Sequence, residues 1–104
     1  MADQPVSKLQ YYLNLAKQGT ADDVKAILKD LHVEMTFNDS RFIDYSLGLV
    51  SSPEGLEVIR DYLFTGSQIQ RNYCTLFFNR RGDWDIVKKA YTMGLIDEIQ
   101  AYSK

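Results

Sequence analysis

Residues 16–28 read Ala-Lys-Gln-Gly-Thr-Ala-Asp-Asp-Val-Lys-Ala-Ile-Leu, a short polar break followed by regularly spaced apolar residues. Gly19 is suited to end a helix in the left-handed conformation, and Thr20 is suited to cap the next helix. Asp23 then lies near the positive end of that second helix, where a negative charge is favourable. The segment therefore predicts a tight turn between two helices.

Apolar residues on both sides of this turn recur at the spacing of an α-helix. The positions i, i+3, i+4 and i+7 are filled by Leu9, Tyr12, Leu13 and Ala16 before the turn and by Val24, Ile27, Leu28 and Leu31 after it. Each set forms one apolar stripe along a helix. Residues 7–31 are therefore predicted to form a helical hairpin.

Similar helix boundaries recur further along the chain. At Ser51-Ser52-Pro53-Glu54 a serine cap precedes a proline at the first helical position, and at Arg81-Gly82-Asp83-Trp84 a glycine stop precedes an aspartate cap. The helices are predicted at 7–18, 21–31, 40–50, 53–65, 68–81, 84–93 and 97–103. Between the second and third, the alternation of residues 32–37 indicates a loop that points Val33, Met35 and Phe37 inward.

The predicted fold is a single all-α domain over residues 1–104. Val24, Val58 and Val87 recur with a period of about thirty residues, which is typical of stacked helical hairpins. We expect a right-handed stack of three helix-turn-helix pairs, near 7–31, 40–65 and 68–93, with a short C-terminal helix at 97–103. Helices 40–50 and 68–81 each carry two apolar stripes, which favours central positions for them.

Residues 80–94, Arg-Arg-Gly-Asp-Trp-Asp-Ile-Val-Lys-Lys-Ala-Tyr-Thr-Met-Gly, resemble the second helix of an ankyrin repeat. Residues 16–28 are similar, and the middle unit is looser because Ser51 to Glu54 replace its glycine turn. The resemblance covers most of the chain and implies that a concave face binds another protein without catalysis. A HEAT-like array and an irregular helical bundle are the alternative architectures.

Composition restricts the classes of function. Twelve basic and fourteen acidic side chains give a net charge of −2, so no overall basic field attracts nucleic acid or anionic lipid. The lone Cys74 excludes an intramolecular disulfide and suits a reducing compartment. With no secretory signal and no apolar run of membrane-spanning length, we expect a cytoplasmic protein that does not contact membranes.

The sequence offers no recognisable catalytic, cofactor-binding or metal-binding set. His32 is the only histidine, and it follows Leu31 at a predicted helix end, where it is expected to serve as a cap. Cys74 lies among apolar residues and is expected to be a buried, inert thiol. The six glycines do not form a phosphate-binding loop. We therefore predict that the protein is not an enzyme and needs no cofactor.

Charge is distributed unevenly along the chain. Residues 1–59 hold five basic and nine acidic side chains, whereas residues 60–104 hold seven basic and five acidic ones. A basic and aromatic patch is predicted on helices 68–81 and 84–93 from Arg71, Tyr73, Arg80, Arg81, Trp84 and Lys88. The favoured hypothesis is a protein-protein interaction module that binds another protein or a second copy of itself. The alternative is a nucleic-acid accessory domain that uses the same patch, although nucleic acid is the less expected partner.

Overall fold

Seven α-helices and no strand make up the regular structure of residues 7–103, the part of the chain that the computed structural model describes. The helices are α1 (Lys8–Gln18), α2 (Ala21–Lys29), α3 (Phe37–Leu47), α4 (Pro53–Thr65), α5 (Gln68–Arg81), α6 (Trp84–Thr92) and α7 (Glu98–Ala101). The prediction of an all-α fold is confirmed.

Most of the predicted helix ends are formed by the residues expected to form them. Gly19 adopts a left-handed conformation with φ of 67°, and the Thr20 hydroxyl accepts a hydrogen bond from the Asp23 amide at 3.2 Å. The Ser52 hydroxyl likewise accepts from the Gly55 amide at 3.1 Å, and Gly82 ends α5 with φ of 79°. The glycine and hydroxyl signals in the sequence therefore set these boundaries.

The capping role predicted for Asp83 is wrong. Its side chain makes no capping hydrogen bond to α6, and Oδ2 instead accepts from Nε of Arg81 at 3.3 Å. The guanidinium is a charged donor two residues away, and it competes with the backbone amides for the carboxylate. The N-terminus of α6 consequently lacks a side-chain cap.

The prediction for residues 32–37 is correct only at Met35. Met35 packs partly buried against the core, whereas Val33 is 82% exposed and Phe37 is 73% exposed. The reason is that α3 begins at Phe37 rather than at residue 40, capped by Thr36, whose hydroxyl accepts from the Asp39 amide at 3.1 Å. Phe37 is thus the first residue of a helix, and its ring lies beneath the Arg41 guanidinium at 5.5 Å.

Contacts between the helices are consistent with stacked pairs. Helix α1 packs on α2 and α3, and α2 packs in addition on α4, so the first pair lies alongside the second. Helix α4 packs on α5, which also contacts α3, α6 and α7. The central position predicted for the helix at 68–81 agrees with these contacts. The folded chain is elongated, with principal extents of 52 × 29 × 20 Å.

One apolar core runs through the described chain. The residues that contribute fully buried side chains to it include Tyr12, Val24, Ile27, Leu28, Ile43, Leu47, Ile59, Leu63 and Cys74. Polar side chains join the helix pairs around this core. The Ser52 hydroxyl donates to the Gly19 carbonyl, and the Gln70 amide nitrogen donates to the Leu28 carbonyl at 2.8 Å.

Candidate functional site

Two of the six predicted patch residues, Arg71 and Tyr73, are partly buried. Arg71 is partly buried, and its guanidinium donates through Nε to the Leu95 carbonyl at 2.9 Å and through Nη1 to the Gly66 carbonyl at 2.8 Å. Tyr73 packs partly buried against the core. Arg71 therefore ties the α4–α5 connection to the α6–α7 connection through two hydrogen bonds to backbone oxygens.

Arg80 and Arg81 lie at a second location, facing α3. Nη1 of Arg80 donates to both carboxylate oxygens of Asp44, at 2.9 and 3.0 Å. The Arg81 guanidinium lies over the Phe77 ring at 5.4 Å and donates to Asp83. A shallow recess of about 190 Å³ is lined by Asp44, Gly48, Phe77, Arg80 and Arg81.

Trp84 and Lys88 are brought together on the outer face of α6. They line a groove of about 570 Å³ that lies between α6 and the C-terminal segment. The other residues lining this aromatic groove are Asn79, Asp85, Val87, Tyr91, Thr92, Ala101 and Tyr102. The three aromatic rings are open to solvent, with 61% of Trp84, 43% of Tyr91 and 79% of Tyr102 exposed.

The spacing of residues along α6 explains one wall of the groove. Trp84, Lys88 and Tyr91 occupy positions i, i+4 and i+7, which fall on one face of a helix. The buried residues Val87 and Ala90 lie on the side of α6 that joins the core. The core contacts of α6 therefore hold its aromatic side chains outward on a fixed backbone.

The second wall is held in place by a buried asparagine. Asn79 of α5 is almost fully buried, and its Nδ2 donates to the carbonyls of Ala101 and Ser103 at 2.9 and 2.6 Å. Asp97 and Gln100 add a reciprocal capping box at the start of α7. Both sets of hydrogen bonds restrain the backbone that carries Tyr102.

Trp84 also lines a second cleft of about 640 Å³. This cleft is lined by Arg60, Phe78, Gly82, Asp83, Asp85, Ile86 and Lys89 in addition to Trp84. Lys89 is partly engaged, because its Nζ lies 5.6 Å from the centre of the Phe64 ring. Trp84 and Asp85 thus contribute to both concave surfaces.

The chemically reactive side chains lie away from the groove. Cys74 is buried, and that burial raises the pKa of its thiol, which disfavours the nucleophilic thiolate. His32 is exposed, and its Nδ1 accepts from the Glu34 amide at 3.3 Å instead of capping the carbonyls of α2. Among residues 7–103, no three His, Cys, Asp or Glu side chains gather as metal ligands. None of the described helices combines the length and the apolarity required to cross a bilayer.

Comparison with known proteins found no matching protein family, no matching curated protein and no matching solved structure.

The predicted patch omitted seven of the nine residues that line the groove, among them Asn79, Asp85, Tyr91 and Tyr102. Tyr91 could have been predicted from the sequence, because it lies on the same helix face as Trp84 and Lys88, about one turn further along. Tyr102 belongs to a segment whose position depends on tertiary hydrogen bonds, and Asn79 is a polar residue buried near the end of α5. For Tyr102 and Asn79, the neighbouring residues in the sequence gave no indication of a place in the groove.

Proposed function

We propose that this chain is a non-enzymatic protein-binding module and that its aromatic groove receives apolar surface from another protein chain. One observation carries the proposal: Trp84, Tyr91 and Tyr102 leave large aromatic surfaces exposed around a single groove. Aromatic side chains are enriched among the residues that supply most of the binding energy at protein interfaces. Contiguous exposed apolar surface is typical of an interaction site.

Preorganisation of the groove supports the same conclusion. Its two walls are a helix packed on the core and a segment hydrogen-bonded to the buried Asn79. A partner that docks there does not have to order these backbones first, and this lowers the entropic cost of association. A groove of this construction suits binding of a preformed apolar surface.

The basic residues give less support to the nucleic-acid alternative. The guanidinium groups of Arg71 and Arg80 donate to backbone carbonyls and to Asp44, respectively. Phosphate binding would compete with these contacts. The geometry therefore favours a protein partner, and the ankyrin-like or HEAT-like character of the stack stays a prediction.

Affinity capture tests the proposal directly. The intact chain, a Trp84→Ala/Tyr102→Ala variant and a Tyr45→Ala control serve as baits in extract from the source organism. Tyr45 is an exposed aromatic residue on α3, outside the groove, so its substitution controls for general loss of aromatic surface. We expect the wild type and the control to retain a common partner or additional copies of the chain, and the groove variant to lose them.

Recovery of the same proteins by the groove variant would contradict the proposal, as would recovery of none by the wild type. Melting curves of the three baits provide the folding control. Because the substituted side chains are mostly exposed, their truncation is expected to leave stability within about 0.5 kcal/mol of the wild type.

A further inference from the structure

From the charges that line the aromatic groove, we infer that its occupant is a second copy of the same chain, docked through a two-fold axis that crosses α6. This inference rests on the proposed function, because it names the partner of the same groove. Two-fold dimers are the commonest symmetric assemblies, and they place the same patch on both sides of the interface.

The groove carries one acidic and one basic side chain, Asp85 and Lys88. Neither forms an ion pair with any residue in the described range 7–103. A strongly acidic or strongly basic partner would leave one of the two facing a like charge. A second copy of the groove instead supplies a base for the acid and an acid for the base.

The positions of these residues fit a two-fold arrangement. Asp85 and Lys88 are three residues apart, and side chains at that spacing lie on the same face of a helix. A two-fold axis perpendicular to α6 makes the two copies of this helix antiparallel. When the axis crosses between the two residues, Asp85 of each copy faces Lys88 of the other, and the pairing occurs twice.

The surrounding aromatic surface provides the attraction that such exposed ion pairs lack. Ion pairs at the surface contribute little by themselves, but they fix register and exclude wrong partners. Trp84 and Tyr91 occupy the same face of α6 as the two charges, and Tyr102 stands on the facing wall. A net charge of only −2 per chain opposes association weakly.

Sedimentation equilibrium over a concentration series tests the inference. The wild-type chain, of mass 12.0 kDa, is expected to approach twice that mass as its concentration rises. Trp84→Ala is expected to weaken the dimer about tenfold or more, since aromatic residues dominate interfaces. Tyr45→Ala, which removes an exposed ring outside the groove, is expected to leave the dissociation constant unchanged.

Charge reversal provides the sharper arm of the experiment. Asp85→Lys and Lys88→Asp each place like charges opposite one another in a dimer of the variant, so each variant alone is expected to be predominantly monomeric at low salt. An equimolar mixture of the two variants restores both opposite-charge pairs. The mixture is therefore expected to form a heterodimer, which an unfolded variant would fail to do.

A wild-type chain that remains monomeric at every concentration would overturn the inference. A dimer that neither Trp84→Ala nor single charge reversal weakens would overturn it as well, and so would a mixture that stays monomeric. A monomer that still captures a different protein through Trp84 would refute self-docking alone. Failure of the wild type to capture any protein, or equal capture by the Trp84→Ala/Tyr102→Ala variant, would refute the proposed function instead.

Discussion

Two serines on this chain have opposite surroundings. Ser46 in α3 is fully buried, and its hydroxyl has no hydrogen-bond partner among the described residues. The Ser52 hydroxyl, in contrast, accepts from the Gly55 amide and donates to the Gly19 carbonyl. The first hydroxyl has lost water without compensation, whereas the second caps α4 and joins it to the first hairpin.

Substitution of each serine by alanine should therefore have opposite effects on stability. We expect Ser46→Ala to leave the free energy of unfolding unchanged or to raise it by up to about 1 kcal/mol. Ser52→Ala should lower it by about 1–2 kcal/mol, since both a cap and a link between helix pairs are lost. Urea denaturation measures both values, and equal losses for the two variants would contradict this interpretation.

Tyr12 makes stability depend on pH in the alkaline range. Burial, followed by its hydrogen bond to Asp30 at 3.1 Å, raises the pKa of Tyr12 to about 12 from the ordinary value of 10.0. Between these pH values the unfolded chain loses the proton while the folded chain keeps it. The free energy of unfolding contributed by this group must therefore fall as pH rises from 10 to 12.

We expect Tyr12→Phe to remove this part of the fall in the free energy of unfolding at alkaline pH. The variant is less stable at neutral pH because the hydrogen bond to Asp30 is gone. Tyr45→Phe is the matched control, since that ring is exposed on α3. Urea unfolding at several pH values from 9 to 11 gives the slope of the free energy of unfolding against pH for each protein. The same slope in wild type and Tyr12→Phe would contradict the assignment.

Two glycines at helix ends illustrate different constraints. At Gly55, in the first turn of α4, an added Cβ would lie 2.6 Å from Val50 Cγ1 and 3.1 Å from Val24 Cγ2. At Gly82 the added atom meets nothing within 4 Å, but φ is +79°. The first glycine is required by the close approach of α4 to its neighbours, and the second by backbone conformation.

Substitutions at the two glycines should respond differently to the size of the new side chain. Gly55→Ala is expected to cost about 1–3 kcal/mol through overpacking, and Gly55→Asn more. Gly82→Ala is expected to cost about 1–2 kcal/mol, and Gly82→Asn less, since asparagine tolerates the left-handed region. Urea unfolding of the four variants measures these differences. A larger loss of stability with asparagine than with alanine at both positions would contradict the interpretation.

The C-terminal segment depends on Asn79 for its position. Asn79→Ala removes both hydrogen bonds to the carbonyls of Ala101 and Ser103, so we expect faster amide hydrogen exchange across residues 97–103. Asn72→Ala on the same helix is the matched control, because Oδ1 of Asn72 has no partner among the described residues. Equal exchange in the two variants would show that Asn79 does not hold this wall of the groove.

The sequence predicted the helices well because their ends carry local chemistry. The residues at four of these ends act through their own backbone or through neighbours in the sequence, so their roles could be predicted: Gly19, Thr20, Ser52 and Gly82. Asp83 failed as a cap because Arg81 competes for its carboxylate. The start of α3 was misplaced because an apolar alternation obscured the capping signal of Thr36.

The site was less predictable because it depends on tertiary contacts. Trp84 and Lys88 were identified from their types, and both line the aromatic groove. The hydrogen bonds of Arg71 and Arg80 are made to oxygens supplied by residues distant in sequence, at Leu95 and Asp44. Side-chain type indicated which residues were capable of binding, but only the packing of the helices showed where their donors point.

The molecule as a whole is an elongated helical fold in which three exposed aromatic side chains share one groove near one end. The groove lies on α6 and the C-terminal segment, whereas α1 packs only against α2 and α3 among its substantial contacts. Terminal units of helical stacks require polar outer faces to stay separate in solution. The exposed rings of Trp84, Tyr91 and Tyr102 depart from that rule, and this favours association through that end.

Acrylamide quenching of tryptophan fluorescence tests association through the groove most directly, because Trp84 is the only tryptophan in the chain. The dilute chain should be strongly quenched, since 61% of this side chain is exposed. As chain concentration rises, we expect the quenching constant to fall severalfold and the emission maximum to shift to shorter wavelength. A quenching constant that stays the same from the dilute to the concentrated sample would contradict this expectation.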